Sequence, residues 1–338
     1  MNKKIIIFIV SVIILTILAT GYFLIIHKNK PTETTAGYRI GILIGIENLS
    51  FVVDGFRNKM TKMGYVEGKE VFYDIQNGNN DSETMKTIIQ KFVSDKVDLI
   101  LTAGLSDDIE KIVDDSSIPV VFTVGELENL NLNNGLNPGK NITGIFLSLD
   151  EIGLGRLEMM NKLDPKAKRI WIPYFKKDIN SSYNGKAIID FLRPTAESLD
   201  ITLIESPVAD LDEIKNNLAG LEEKSDIGID AILVIPGPLT INADAFAVMS
   251  EFAKKHKIPI GGSPIQKNDE SLFGYSGAFY ETGEQAADLA AKILKGSFAG
   301  DISLIPVPIY FQINFKVADR LGLKVPDSLI IQANEIIR

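Results

Sequence analysis

The longest apolar run of the chain lies near its beginning, where Ile5–Ile26 contains no charged residue. About 20 apolar residues, at a rise of about 1.5 Å each, span the hydrocarbon core of a bilayer as a helix. A secretory signal has a shorter apolar core of about 7–15 residues and a small-residue cleavage site, which does not follow here closely. We therefore predict an N-terminal transmembrane signal-anchor over residues 1–30 and a polar linker over residues 31–37. Secretion after cleavage of a signal peptide is the alternative.

Beyond this linker, short apolar runs alternate with amphipathic stretches. Nearly continuous apolar runs are typical of parallel strands buried on both faces, and the stretches between them have the period of helices. Strands are predicted at 38–45, 71–75, 97–102, 119–123, 169–174, 229–234, 257–260, 273–278 and 306–312. Helices are predicted at 51–63, 82–93, 282–295 and 314–321, with Thr282 as the N-cap of the third.

The order of these runs repeats along the chain. The runs that begin at Arg39, Val97 and Ser117 recur at Arg169, Ile229 and Lys257, at offsets of 130, 132 and 140 residues. The repeat predicts two Rossmann-like, flavodoxin-like α/β domains with parallel sheets, and the elements left over indicate that the chain crosses between them more than once. The predicted domains are residues 38–145 plus about 278–306, and residues 146–277 plus about 307–338.

Polar and small residues follow most of the predicted strands. In open parallel sheets ligands bind outside the carboxyl ends of the strands, so two such edges that face each other predict a ligand cleft. Movement about the crossing segments would then close the cleft over a small molecule. The candidate ligand-binding residues are Glu47, Asn48, Ser50, Thr102, Ala103, Gly104, Thr123, Gly125, Glu126, Tyr174, Ser181, Gly237, Ser263, Tyr275 and Ser276.

The composition excludes several kinds of chemistry. The chain has no cysteine, which rules out disulfides, thiolate nucleophiles and attachment of a lipid through cysteine, and it has only two histidines. We therefore predict a binding protein without metal or cofactor, and not an enzyme. Four of the 35 basic residues and none of the 44 acidic residues precede residue 31, so residues 31–338 carry a net charge of −13. This charge argues against nucleic acid as a partner.

Several short motifs occur in a distinctive order along residues 38–338. They are GYVEGK (64–69), VDLILTAG (97–104), IPVVFTVG (118–125), GKNITG (139–144), AAKILKG (290–296) and NFKVADRLGLKVPDSLI (314–330). Together they resemble the ABC-transporter substrate-binding proteins, in the class that includes tryptophan- and tyrosine-binding members. One departure is Pro236–Pro238, where members of the class often have a TDN-like turn.

The resemblance implies a type I periplasmic-binding fold with three crossings between the domains. It also implies that a small solute, amino-acid-like in this class, is captured outside the cell and handed to a permease driven by a cytoplasmic ATPase. The family's cleft-lining positions carry over to Thr102, Ala103, Thr123 and Tyr275. Two other interpretations remain open, namely a membrane-tethered sensing receptor that works through a partner and an exported α/β enzyme.

Overall fold

The computed structural model of the protein describes residues 37–104, 117–125, 136–176, 184–266 and 270–338. The predicted transmembrane segment, most of the linker and the candidate residues Glu126 and Ser181 lie outside these residues. Within these five ranges, no helix is both long and apolar enough to cross a membrane.

The described residues form alternating strands and helices. The strands are β1 (Tyr38–Ile44), β2 (Val71–Asn77), β3 (Leu99–Ala103), β4 (Val120–Gly125), β5 (Ile142–Phe146), β6 (Arg169–Phe175), β7 (Thr202–Val208), β8 (Ala231–Leu233), β9 (Ile260–Gly261), β10 (Phe273–Gly277), β11 (Ile305–Pro306), β12 (Ile309–Asn314) and β13 (Glu335–Ile337). The helices are α1 (Ser50–Lys62), α2 (Ser82–Ser94), α3 (Leu149–Leu163), α4 (Gly185–Ser198), α5 (Leu211–Glu222), α6 (Ala243–His256), α7 (Phe279–Leu294), α8 (Phe315–Leu321) and α9 (Asp327–Gln332).

The first sheet has six parallel strands in the order β11-β5-β4-β3-β1-β2. Its apolar strands need cover on both faces. On one face, Phe56 of α1 and Ala286 of α7 belong to the core. On the other face, Ile89 and Phe92 of α2 pack beside Ile100 of β3. The apolar runs of the sequence therefore form the strands of a central sheet, which is buried because helices cover both of its faces.

The second sheet begins as four parallel strands in the order β7-β6-β8-β9. A bridge between Gly262 and Gly274, together with a hydrogen bond of 2.7 Å from the Leu272 amide to the Ile260 carbonyl, joins β9 to β10. Through this junction the sheet continues into β12, antiparallel to β10, and into β13. Ile189 of α4 belongs to the core cluster on one side of β6 and Phe252 of α6 to the cluster on the other.

The chain passes three times between the two sheets, from β5 into α3, from β10 into α7 and from β11 into β12. The connecting segments lie side by side. The Val307 amide donates to the Phe146 carbonyl at 2.9 Å, and the Ala278 amide donates to the Pro308 carbonyl at 2.7 Å. These hydrogen bonds tie the passages into one narrow junction, which is where a hinge between the halves has to bend.

The α/β class with parallel sheets is confirmed, whereas the domain limits of the sequence analysis stay a prediction. One helix start was wrong, because α7 begins at Phe279 and not after Thr282. Thr282 is fully buried, and its hydroxyl donates to the Ala278 carbonyl at 2.8 Å. The threonine therefore sits inside the first turn, where a hydroxyl commonly bonds the carbonyl four residues earlier.

Candidate functional site

The candidate residues at the ends of β3 and β4 are tied to each other by hydrogen bonds. The Thr123 hydroxyl donates to the Thr102 carbonyl at 2.9 Å, and the Gly104 amide donates to the Thr123 carbonyl at 3.0 Å. The side chains of Thr102, Ala103 and Thr123 are fully buried. These three side chains are therefore part of the core in this conformation. Gly104, which has φ +90° and is half-exposed, is the residue at which the chain turns after β3.

The Thr102 hydroxyl is buried without a hydrogen-bond partner in the described part of the chain. Thr102 pairs in register with Leu43 and Phe122, so it shares the face of the sheet that α2 covers. A buried, unpaired hydroxyl costs about 1–3 kcal/mol. An unpaired hydroxyl next to a strand end is a feature that packing alone does not explain.

Val124, directly after the buried Thr123, has a left-handed backbone with φ +57°. A β-branched residue disfavours this region, and such strain costs about 1–3 kcal/mol. The register between β4 and β5 shifts at this point, and the Gly125 carbonyl accepts from the Leu147 amide at 2.8 Å. The strained residue therefore coincides with the irregularity at the carboxyl end of β4. Sequence reasoning missed it, since valine does not mark a left-handed turn.

The loop between β1 and α1 presents the most exposed candidate residues. Glu47 and Asn48 are exposed in a short 3-10 turn that the buried Leu49 anchors, and the Glu47 carboxylate accepts a hydrogen bond from the Asn77 side chain. Ser50, half-buried, starts α1.

Two apolar side chains that were not among the candidates stand beside them. Phe51 is 61% exposed and Ile46 is 47% exposed. An apolar and a polar surface therefore meet at the carboxyl end of β1. In the sequence, the available signal for this surface was the phenylalanine directly after the candidate Ser50.

The candidate residues of the second half are mostly buried. Tyr174 is 6% exposed and belongs to a hydrophobic core; burial raises the pKa of its hydroxyl, which reaches Glu205 Oε2 at 3.4 Å. Ser263 is 3% exposed, and Gly237 takes a glycine-specific backbone with φ +140° before a 3-10 turn. Tyr174 is thus placed as a core residue of this half.

Tyr275 lies at the junction, since its ring packs against the hydrophobic cores of both halves. A methyl group on Gly155 would lie 2.4 Å from the Tyr275 ring, so the glycine is what lets α3 approach. Phe311 meets the same ring edge-on, with the two centroids 6.0 Å apart. Burial raises the pKa of the Tyr275 hydroxyl. Its neighbour Ser276 is half-buried on the same strand, opposite Tyr310.

Arg156 is a buried charge that sequence reasoning missed. The side chain is 2% exposed; its Nε donates to the Tyr275 carbonyl and one terminal nitrogen to the Val234 carbonyl, each at 2.8 Å. It therefore joins the carboxyl end of β8 to the strand that leads into the second passage. A signal was present, because Arg156 falls on the same helical stripe as the buried Ile152 and Met160.

This architecture, two α/β halves connected by three adjacent passages, is a periplasmic-binding-protein-like fold. A tryptophan-bound ABC domain from Streptococcus pneumonia has the same fold, with a TM-score of 0.65 and 19% identity over 89% of this chain and all of that one. An inositol-bound solute-binding protein from Bacillus halodurans also matches, with a TM-score of 0.59 and 17% identity over 86% of this chain and 99% of that one.

The family itself follows from the sequence comparison. The chain belongs to the family described as "ABC transporter substrate binding protein", whose model matches residues 39–337. It is 30% identical over 283 residues to a "Tyrosine-binding protein" of Clostridioides difficile, covering 82% of this chain and 78% of the relative. The ligand-free, open form of a substrate-binding protein with adhesive properties from Clostridium difficile has a TM-score of 0.71 and 25% identity, over 89% and 99% of the two chains. These relatives are binding proteins, as the sequence analysis expected.

Proposed function

We propose that this protein captures an amino-acid-like solute, with aromatic amino acids as the leading class, and delivers it to the permease of an ABC importer. The observation that carries the proposal is the family match over residues 39–337. The naming of one relative as tyrosine-binding and the tryptophan bound in one structural neighbour support the ligand class.

The ligand would enter at the carboxyl edge of the first sheet. There the exposed ring of Phe51 and the side chain of Ile46 offer an apolar wall, and Glu47 offers a carboxylate for an ammonium group. Closure about the three passages would bring the second half, with Tyr275 at its edge, over the bound molecule. An aromatic side chain gains about 0.5–1.5 kcal/mol from a well-placed aromatic wall, beyond the burial of its surface.

A thermal-shift and calorimetric titration of the full chain in mild detergent tests the ligand class. The panel is L-tyrosine, L-tryptophan, L-phenylalanine, L-alanine and myo-inositol. A ligand at about 100 times its Kd stabilises the native state by about 2.7 kcal/mol, which raises the midpoint of unfolding. If no amino acid shifts the midpoint while inositol does, the proposed class is wrong.

The residue-level arm of this experiment uses two phenylalanines. Phe51→Ala should weaken binding of an aromatic amino acid by roughly tenfold, which corresponds to about 1.4 kcal/mol. Phe191→Ala is the matched control, because this ring, 42% exposed, lies on α4 of the second half. Equal effects of the two substitutions would argue against the apolar wall.

We also propose that residues 5–26 keep the protein at the cell membrane, with the folded part on the extracytoplasmic side. The 22-residue uncharged run supports this, together with the absence of a cysteine that could carry a lipid. Carbonate washing of membranes should leave the full chain in the pellet and release a variant that lacks residues 1–30. Co-purification of a permease and an ATPase supports transport, whereas a kinase partner in their place contradicts it.

A further inference from the structure

A cavity of about 450 Å³ lies at the amino edge of the first sheet, the edge opposite to the candidate ligand residues. Its wall includes Tyr38 at the start of β1, Tyr65 after the end of α1, Lys69 before β2 and Lys295 at the end of α7. Gly37, the first residue of the described chain, lies on the same wall.

The wall combines aromatic and cationic groups. The rings of Tyr38 and Tyr65 are 6.1 Å apart, and the Tyr38 hydroxyl donates to the Leu294 carbonyl at 3.0 Å, which holds the ring in place. Lys69 and Lys295 are exposed, and within the described residues neither forms an ion pair with a carboxylate.

Unlike Lys69 and Lys295, the neighbouring lysines of α1 lie close to carboxylates. Lys62 forms an ion pair with Glu284 at 3.0 Å, and Lys59 lies 3.5 Å from Asp288. Glu70, also on the cavity wall, accepts a hydrogen bond of 3.1 Å from the Val66 amide. With the exposed Glu70 carboxylate on the same wall, the two unpaired ammonium groups leave a local net charge of +1, whereas residues 31–338 as a whole carry −13. An acidic protein is repelled by an anionic surface, and a local basic region lowers this repulsion on its side of the molecule.

The position of the cavity links it to the membrane. Ten residues, 27–36, separate the end of the apolar run from Gly37. At about 3.3–3.6 Å per residue, a fully extended segment of that length reaches at most about 36 Å. With residues 5–26 in the bilayer, as proposed above, Gly37 and the cavity wall beside it stay within about 36 Å of the membrane. Tyrosine rings favour the headgroup level of a bilayer, and nearby lysines are attracted to anionic lipids.

We propose that this cavity is a membrane-docking site that receives the phosphate headgroup of an anionic lipid between Lys69 and Lys295. The proposal rests on the membrane tether proposed above. When the site is occupied, the amino edge of the first sheet lies on the bilayer and the carboxyl edge with the candidate cleft faces away from it, so the site has to be vacated before the cleft can reach the permease.

The experiment uses the full chain reconstituted into vesicles of phosphatidylcholine, with or without phosphatidylglycerol. Because the chain has no cysteine, a single nitroxide label is introduced at Val66→Cys beside the cavity or at Ile331→Cys in the second half. These positions are 40% and 85% exposed. With phosphatidylglycerol, the label at position 66 should gain accessibility to oxygen and lose accessibility to a water-soluble nickel complex. The label at position 331 should not change.

Charge-neutralising variants assign the effect to the cavity. Each lysine near an anionic surface contributes about a fivefold factor, so Lys69→Gln with Lys295→Gln should lower the ratio of docked to undocked protein by about 25-fold. Lys224→Gln with Lys316→Gln is the control, since it removes the same charge from exposed positions of the second half.

The outcomes separate the two proposals. If carbonate releases the full chain from the vesicles, the tether is wrong and the docking site falls with it. If the chain stays bound but the label at position 66 is equally exposed to water in both vesicle types, the tether stands and the docking site is overturned. Equal loss of docking in the two double variants would also overturn the site, because general charge would then suffice.

Discussion

Helices α1 and α7 cross unusually closely, and a single methyl group at the crossing should destabilise the first half. A Cβ on Gly283 would lie 1.9 Å from the Val52 carbonyl oxygen and 2.7 Å from the Phe56 nitrogen. On the facing helix, a Cβ on Gly55 would lie 1.9 Å from the Tyr280 carbonyl oxygen. Both obstructions are backbone atoms, which cannot rotate away as a side chain does.

The magnitude of this effect follows from the separation that Gly283→Ala demands. Ordinary van der Waals contact for a Cβ begins at 3.4 Å, so the helices have to move apart by about 1.5 Å at this point. The move loosens the core in which Val52, Phe56 and Ala287 pack. Overpacking of a core costs about 1–3 kcal/mol, and occasionally more. We expect a loss at the upper end of this range, about 3 kcal/mol.

The matched control is Gly220→Ala, because Gly220 lies in helix α5 and a methyl group added there would have nothing within 4 Å of it. This substitution should stabilise the protein by about 0.5–1 kcal/mol through helix propensity. Urea unfolding followed by far-ultraviolet circular dichroism measures both variants. Opposite signs support the reasoning, whereas a Gly283→Ala protein as stable as the wild type would refute it.

Three further substitutions test other features. Arg156→Met should cost about 3 kcal/mol or more, because it leaves two buried carbonyls without their charged donor; unchanged stability in urea unfolding would contradict this. Thr102→Val should raise stability by about 1 kcal/mol by removing an unpaired hydroxyl, and a stability gain coupled to weaker solute binding would assign that hydroxyl to the ligand. Arg169 bonds Asp226 and Asp230 at 2.6 and 2.8 Å. Its hydrogen bonds hold the Asp226 pKa below the ordinary value; for Asp230, burial opposes the shift, but the bonds from Arg169 and the backbone outweigh it and also lower the pKa. A lowered native pKa means that stability is complete above the ordinary value of about 4 and falls with pH below it, and Arg169→Met should flatten this fall in unfolding measured from pH 6 to pH 2.

Most strands of the first sheet were predictable because burial on both faces leaves continuous apolar runs, whereas β5 (Ile142–Phe146) was not predicted. The run at 38–45 became Tyr38–Ile44, and the stretch at 82–93 became the helix Ser82–Ser94, with Asp81 accepting from the Thr84 amide as its N-cap. By contrast, the edge strand Thr202–Val208 mixes exposed and buried positions without a clear period, and it was missed.

The candidate site was less predictable for a physical reason. A strand-end position marks a residue as close to the cleft but does not say which way its side chain points. Thr123 and Tyr174 point into cores, while Phe51, one residue beyond the candidate Ser50, is exposed. Arg156 lies about 120 residues before Tyr275 in the chain, and its side chain bonds the Tyr275 carbonyl at the junction. The hydrophobic pattern around Arg156 does not predict this bond, because the pattern depends only on residues close in sequence.

The three passages of the chain also govern when each half can be completed during synthesis. The helix Phe279–Leu294 covers Val52 and Phe56 of α1, and the strand Ile305–Pro306 closes the edge of the first sheet. The first 146 residues alone therefore leave an apolar face open, and the second sheet waits for Glu335–Ile337. Neither half can finish folding until nearly the whole chain has been made.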